Sequence, residues 1–520
     1  MTRDLVFGVD SSTSATKAIA WDRRGRAVGE GRAAIAMSTP HPGYFEQDPL
    51  DWWRSTATAL RGLTADIDPH RIAGLAISNQ RETFAPFTHD GTALRPGMVW
   101  LDDRARAQLR RFGESFGAER FHEISGKPFD IIPCLFRLIW MKEKEPEIFA
   151  RADILADVHG YLVHRLTGRW STSTASADPM GLLDMRDGDW SQAILEAAGI
   201  AREKLPALHR PGEFLGEVTP EAAEQTGLPA GLPVFAGGGD GQCAGSGVGV
   251  LRPGRAYVNL GTAAVAGIYG ESYAFSKAFR TETAIAERGY IYETCLRSGT
   301  FLVDWLLGEV FGVPAAERPA ALAALEREAS ERPIGSGGLV LAPFWQGSMT
   351  PHWDSDARGV IAGLTGSTRR ADLFRAVLES IAIDMADSLL QAETVTEAAI
   401  DHWIAIGGGA ASDLWMQILA DVSGRKIGRS AANEASSLGA AMAAAKGAGW
   451  HAGIADASQA MTSEIVRTFE PDARRVETYR ALRQLQTELW PLVSQWNRRL
   501  AAFADANRAS ADQDAQPRGQ

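Results

Sequence analysis

Short apolar runs that end in clusters of small polar residues recur along this chain and predict strands joined by tight turns. Residues 5–9 predict a buried strand, and Asp10, Ser11, Ser12, Thr13 and Ser14 a polar turn. Residues 17–21 predict a second strand, 22–25 a turn, and 26–31 a third strand. A dinucleotide-binding unit would place a helix after its first turn. Here a strand follows, so two adjacent strands and their turn must handle any phosphate. The same order returns as a strand over 256–260, a small-residue turn at 261–264, and a strand over 265–269. A duplicated fold with a ligand between its halves would produce this echo. Two unrelated hairpins would produce it too.

Between and after these segments the apolar spacing becomes helical. Residues 133–144 and 146–166 predict helices. Phe374, Val377, Ile381, Met385 and Leu389 form one stripe, with Ser367 or Thr368 as its N-cap. Val476, Tyr479, Leu482, Leu489 and Trp496 predict a late amphipathic helix. The glycine-rich stretch over 229–254 predicts a boundary between domains 1–250 and 251–504, and the small polar residues of 505–520 a disordered tail. A chain of 520 residues suits two large domains.

Charge narrows the partners. A formal net charge of -11 argues against a general affinity for nucleic acid or anionic membrane. It leaves room for a polyanion held by a metal ion and backbone dipoles. No apolar run reaches the ~20 residues of a membrane span, and the start has no signal-peptide pattern, so the cytoplasm is the expected compartment. Cys134, Cys243 and Cys295 have neither disulfide-framework nor zinc-site spacing.

Three strand ends carry candidate chemistry. Asp10 stands at the foot of a turn whose N–H groups and hydroxyls suit phosphate, and its carboxylate could hold Mg2+; on these residues alone, a polar hairpin with Asp10 bonding its own backbone is the better reading. Asp240 follows Gly237, Gly238 and Gly239, where it could accept a proton from an attacking hydroxyl or simply cap a helix. Gly407, Gly408, Gly409 and Ala410 follow another strand, where a flat adenosine could lie on backbone or the chain could merely turn. The phosphate-binding loop GxxxxGK[ST] is absent, as is the protein-kinase motif set. The histidines form no metal-binding spacing; His352 and His402 read as polar or capping residues.

In this order, over roughly 5–485, the motifs resemble the FGGY carbohydrate kinases. The closest match is Gly359 to Leu364, Asp372-Leu373 and Ala376 to Glu379, which fits the family's C-terminal signature. The earlier signature, around 133–144, departs mildly: Arg137 stands where lysine is usual, and Lys144 is an unusual last residue. The resemblance implies an α/β, two-domain actin-like ATPase (ribonuclease H-like) fold, with ATP and sugar in the interdomain cleft and Mg2+ at Asp10. It implies that Thr13, Ser14 and Lys17 form a first phosphate turn, and Gly261 and Thr262 a second. Gly407 to Ala410, with Asn433, would hold adenosine, and Asp240 would be the catalytic base. A homodimer is a family expectation.

The acceptor is read from smaller likenesses. Asn79 to Thr83 is similar to a glycerol kinase motif, whose Arg and Glu here are Arg81 and Glu82. The tyrosine of that pocket corresponds to Ile132, so a polar partner is missing. Trp100-Leu101-Asp102-Asp103-Arg104, Gly347 to Asp354 and Gly407 to Trp415 are similar to xylulokinases, although the GQMH-type motif of those enzymes is replaced near Arg81 and Glu82. The expected activity is ATP-dependent phosphorylation of a primary hydroxyl of D-xylulose or a related ketose. Arg81, Glu82, Trp100, Asp102 and Asp240 would bind that small-molecule sugar. Glycerol or another polyol, ribulose, fuculose or an autoinducer are the alternatives, and an actin-like ATPase without a sugar substrate is the alternative outside the class.

Overall fold

The computed structural model describes residues 3–514, with 505, 506 and 508–514 as backbone alone. Strands β1 (Leu5–Ser11), β2 (Ala15–Asp22) and β3 (Ala27–Ala34) form an antiparallel meander. On the other side of β1 lies β4 (Ile72–Asn79), parallel to it. β5 (Phe214–Glu217) and β6 (Pro233–Gly239) complete this sheet, with the order β5-β6-β4-β1-β2-β3. β1 and β4 are buried at every position, as their unbroken apolar runs require in a sheet covered on both faces.

The second sheet repeats the plan. β7 (Gly254–Leu260), β8 (Ala264–Gly270) and β10 (Tyr290–Leu296) form the meander, and β9 (Arg280–Thr283) adds an outer strand. β11 (Ile400–Ile406) and β12 (Lys426–Ser430) run parallel to β7, and β13 (Ile465–Phe469) closes the edge antiparallel to β12. Three antiparallel strands, two parallel ones and an antiparallel edge therefore occur twice. The echo of strand, turn and strand in the sequence marks matching positions of two like sheets.

The sheets meet through small residues. Helix α1 (Asp240–Gly247) leaves β6, and another helix, Ala435–Gly447, crosses it and packs on β1, β4 and β6. A Cβ on Gly439 would lie 1.9 Å from the Cys243 carbonyl oxygen, and one on Gly8 1.9 Å from that of Ser437. Only glycine permits these approaches. The strands thus change sheet between Gly239 and Gly254, yet residues near 440 return to the first.

Three helix expectations change in detail. Residues 146–166 are not one helix: Pro146–Arg151 and Val158–Thr167 flank a strand, Ile154–Asp157, which pairs with Phe84–Phe87. Asp157 starts the second piece by accepting from the Gly160 N–H at 3.0 Å. The stripe from Phe374 to Leu389 lies buried on Arg370–Thr396, but the cap is not Ser367 or Thr368. The Asp372 carboxylate instead accepts from the Arg369 N–H at 2.9 Å. The last helix, Ala473–Asp514, continues through the part of the predicted tail that is described; residues 515–520 lie outside the described residues. Among the described residues no helix is long and apolar enough to cross a membrane.

Candidate active site

The ends of β1, β4 and β6 point to one place, because parallel neighbours finish on the same edge of a sheet. Asp10 is buried there, and its Oδ1 accepts from the Ser78 hydroxyl at 2.8 Å. Burial first, then the nearby Asp240 carboxylate, pushes its pKa up to about 7, against the Ser78 hydrogen bond and Lys17. Two carboxylates close enough to repel suit a divalent cation, which needs few protein ligands when waters and phosphates supply the rest.

Asp240 opens α1, with Gly239 at the cap position. Its Oδ1 accepts from the Gly241 N–H at 2.8 Å and forms an ion pair with Arg81 Nε at 2.9 Å, while its side chain stays 39% exposed. The carboxylate is therefore held in one orientation but remains reachable.

A cavity of about 150 Å³ opens beside it. Thr13 and Ala263 line it from the two turns, and Arg81, Glu82, Trp100 and Ile132 line it from the first domain. Arg280, Arg297, Cys295 and Met349 face it from the second half. The structure thus brings Asp10, Thr13, Arg81, Glu82, Trp100 and Asp240 together. Gly261 and Thr262 sit in the turn that carries Ala263, and their carbonyls accept from Thr300 and Gly299 N–H groups at 2.8 and 2.9 Å. Gly407 (φ 84°) abuts the end of β7: a Cβ there would meet Asn259 Oδ1 at 2.4 Å. Gly408 is open, whereas Gly409 and Ala410 are buried in the turn before Asp413–Ser423. Ser14 borders the first turn, where its carbonyl accepts from Ile35 at 2.9 Å. Asn433 is exposed just before Ala435–Gly447.

Two expected residues stand differently. Asp102 is fully buried outside the cavity lining; Oδ2 accepts from the Phe45 N–H at 2.8 Å, and the carboxylate pairs with Arg104 at 2.6 Å. Its carboxylate is engaged internally by Arg104 and the Phe45 N–H. Lys17 pairs with Glu434 at 2.7 Å, and Glu434 also takes Arg32 at 2.6 Å. Its ammonium thus ties the first turn to the segment that carries Asn433.

The sequence reading missed a buried charge network behind the cavity. Glu293 receives Arg81 at 3.0 Å, Arg280 at 2.6 Å and the Tyr257 hydroxyl at 2.9 Å. Burial opposes its charge, yet the two guanidiniums hold its carboxyl below the ordinary range. Arg280 also pairs with Glu82 at 2.6 Å, and Lys127 with Glu282 at 3.2 Å. Asp178 faces that pair, and burial drives its pKa well up.

Arg137 is a further omission, although its place was conspicuous. It is fully buried and donates to the carbonyls of Glu82 (2.8 Å), Ile132 (2.6 Å) and Val99. Three segments of the cavity wall meet on one guanidinium. A fork of donors can do this where a lysine ammonium is a point charge, which accounts physically for arginine at this position. Glu82 itself has φ 49°, a backbone state costing ~1–3 kcal/mol for such a residue. Its carbonyl held by Arg137 and its carboxylate held by Arg280 keep it there.

This arrangement of two like sheets around a carboxylate, two small-residue turns and a sugar-sized polar cavity defines a phosphotransferase of the two-domain actin-like fold. The chain belongs to the FGGY family of carbohydrate kinases: the family's N-terminal domain matches residues 5–247 and its C-terminal domain residues 256–448. It is 28% identical to the xylulose kinase of Bacillus subtilis (strain 168), covering 96% of this chain and 99% of that protein. It is 29% identical to the glycerol kinase of Alkalilimnicola ehrlichii, covering 92% and 98%. Among solved structures, the xylulose kinase from Rhodospirillum rubrum superposes with a TM-score of 0.87 at 26% identity, over 95% of this chain and 99% of that one.

Proposed function

We propose that this carbohydrate kinase transfers the γ-phosphoryl group of ATP to a primary hydroxyl of D-xylulose or a related ketose. The observation that carries this reading is the cavity wall. Arg81 and Glu82 offer polar contacts, while Trp100, Ile132, Val265 and Met349 give the carbon skeleton an apolar bed. The likeness to xylulose kinases over nearly the full length supports the choice of acceptor.

Asp240 would take the proton of the attacking hydroxyl, and Arg81 would keep the carboxylate aimed. The backbone and hydroxyls of Thr13 and Ser14 on one side, and Gly261 and Thr262 on the other, would hold phosphate oxygens. Gly407, Gly408, Gly409 and Ala410, with Asn433, would receive adenosine. Lys17 would lend charge to the first turn from its place on Glu434. Asp10 would hold Mg2+ bound with ATP, and that ion would supply countercharge for the phosphates. Domain closure would exclude water from the transferred group.

A coupled ADP-release screen across pentuloses, hexuloses, glycerol and tetritols tests the acceptor. A ketose should give a clearly higher kcat/KM than glycerol, because Ile132 is an apolar wall where a polyol pocket needs a hydroxyl partner. Glycerol at the head of the ranking would overturn the ketose reading and favour the glycerol kinase likeness around Asn79 to Thr83. Asp10→Ala should raise the Mg2+ concentration needed for half-maximal turnover while leaving sugar affinity nearly unchanged. An unaltered metal titration would make Asp10 a turn residue alone.

A further inference from the structure

Resting on the kinase reading above, we propose that Arg297 and Asp130 clamp a second, non-reacting hydroxyl of the acceptor between the two domains and so help to set specificity. Arg297 directly follows β10 and lines the cavity from the second domain. Asp130 belongs to the first domain and stands two residues before Ile132, which lines the same cavity.

The other two arginines of the cavity wall are already engaged. Arg81 meets Asp240 and Glu293, and Arg280 meets Glu82, Glu282 and Glu293. Arg297 differs. Its Nη1 donates to the Gln346 carbonyl at 3.2 Å, but its Nε is buried without a hydrogen-bond partner. Its Nη2 stands 3.8 Å from Asp130 Oδ2, too far for a hydrogen bond. Asp130 is only 4% exposed; its Oδ1 accepts from the Ile131 N–H at 2.5 Å, and its buried Oδ2 has no hydrogen-bond partner. Unused donors and an unused acceptor thus face each other across the domain boundary, at the edge of the sugar cavity. Buried polar atoms are seldom left unsatisfied without a functional reason.

The chemistry of the two groups identifies what joins them. An oxygen at about 2.8 Å from each would bridge the gap. A hydroxyl can accept from the guanidinium and donate to the carboxylate at once. A substrate carboxylate could accept from Arg297 but would meet the like charge of Asp130. A deoxy carbon would leave both groups unpaired. Asp240 is engaged by Arg81 and the Gly241 N–H and shares no partner with this pair. The clamp therefore takes a hydroxyl other than the one Asp240 would deprotonate.

The test combines one variant with the monodeoxy analogues of the best acceptor that keep the reacting hydroxyl. With the unaltered protein, the analogue lacking the clamped hydroxyl should lose about 10- to 100-fold in kcat/KM, the range for a hydrogen bond to a charged group. Arg297→Met should lose a similar factor on the parent sugar, mostly through KM, yet treat that analogue and the parent alike. Its KM for ATP should not move. Arg297→Lys, which keeps a donor, should recover part of the loss. Equal losses by Arg297→Met on the parent and on every analogue would make Arg297 a structural residue and overturn the clamp. A parent kcat/KM within about twofold of the unaltered protein would overturn it too. Should Arg297→Met not fold, Asp130→Asn reads the same contact from the other domain. Its amide oxygen keeps the Ile131 N–H and its NH2 cannot accept, so selectivity against the same analogue should vanish, and selectivity retained would sink the clamp. The ketose reading fails separately, by a polyol heading the ranking of acceptors; the polyol's own deoxy analogues then decide the clamp.

Discussion

Asp240→Asn is expected to lower kcat by about 10²–10⁴ while ATP and sugar still bind, the range a positioned general base contributes. The amide keeps the size and shape of the carboxylate but cannot take a proton at neutral pH. Its site at the start of α1 changes little, because the Gly241 N–H can still donate to the amide oxygen. Arg81 loses an ionic partner at 2.9 Å but keeps Glu293 at 3.0 Å, so it stays ordered. Losing only the base therefore predicts a fall in kcat with modest change in KM. Steady-state kinetics with the best acceptor, together with calorimetric binding of ADP and sugar, separates the two. Retention of more than about a tenth of the turnover would remove Asp240 from the base role.

Local patterns in the chain reveal the strands and turns, and with them Asp10, Asp240 and the turns at Thr13 and Gly261. Each of those signals is local: an apolar run, then small residues. The charge network is not local. Glu293 on β10 looks like the outward position of an alternating strand, since polar residues in a strand ordinarily face water. Its partner Arg81 is 212 residues away, and only the meeting of the two sheets buries both. Asp102 differs in the opposite sense, since its internal partner is close in sequence. A tryptophan and an aspartate two apart resemble a sugar motif, yet Arg104, two residues further on, closes on the aspartate. The split of 146–166 was hidden because Ile154, Leu155 and Ala156 suit a helix as well as a strand, and pairing with Phe84–Phe87 decides between them. Arg137 was visible as a departure from the expected lysine; its three carbonyl partners lie in segments that come together only in the fold.

Glu293→Ala is expected to destabilise the protein by about 3–5 kcal/mol, the cost of breaking a buried ion pair by removing one member. The carboxylate is fully buried and serves three donors at once: Arg81, Arg280 and the Tyr257 hydroxyl. Without it, the two buried guanidiniums lose the carboxylate they share, and Arg81 is left with Asp240 and Arg280 with Glu82 and Glu282. At ~2–4 °C per kcal/mol for a domain of this size, the melting temperature should drop by roughly 6–20 °C. Glu293→Gln should cost less, since its amide oxygen still accepts, although its NH2 turns one acceptor into a donor facing Arg81 or Tyr257. The sign with pH follows from the carboxyl being held below its ordinary range. Its stabilising contribution is complete above the unfolded carboxyl's ~4.3 and fades as the pH falls below it. The difference in melting temperature between the unaltered protein and Glu293→Ala should therefore narrow on acidification. Turnover should fall as well, because Arg81 spans Glu293 and Asp240 and would no longer be fixed at its far end. A melting temperature within about 2 °C of the unaltered protein at neutral pH, a shift worth no more than ~1 kcal/mol, would show that the network relaxes around the loss.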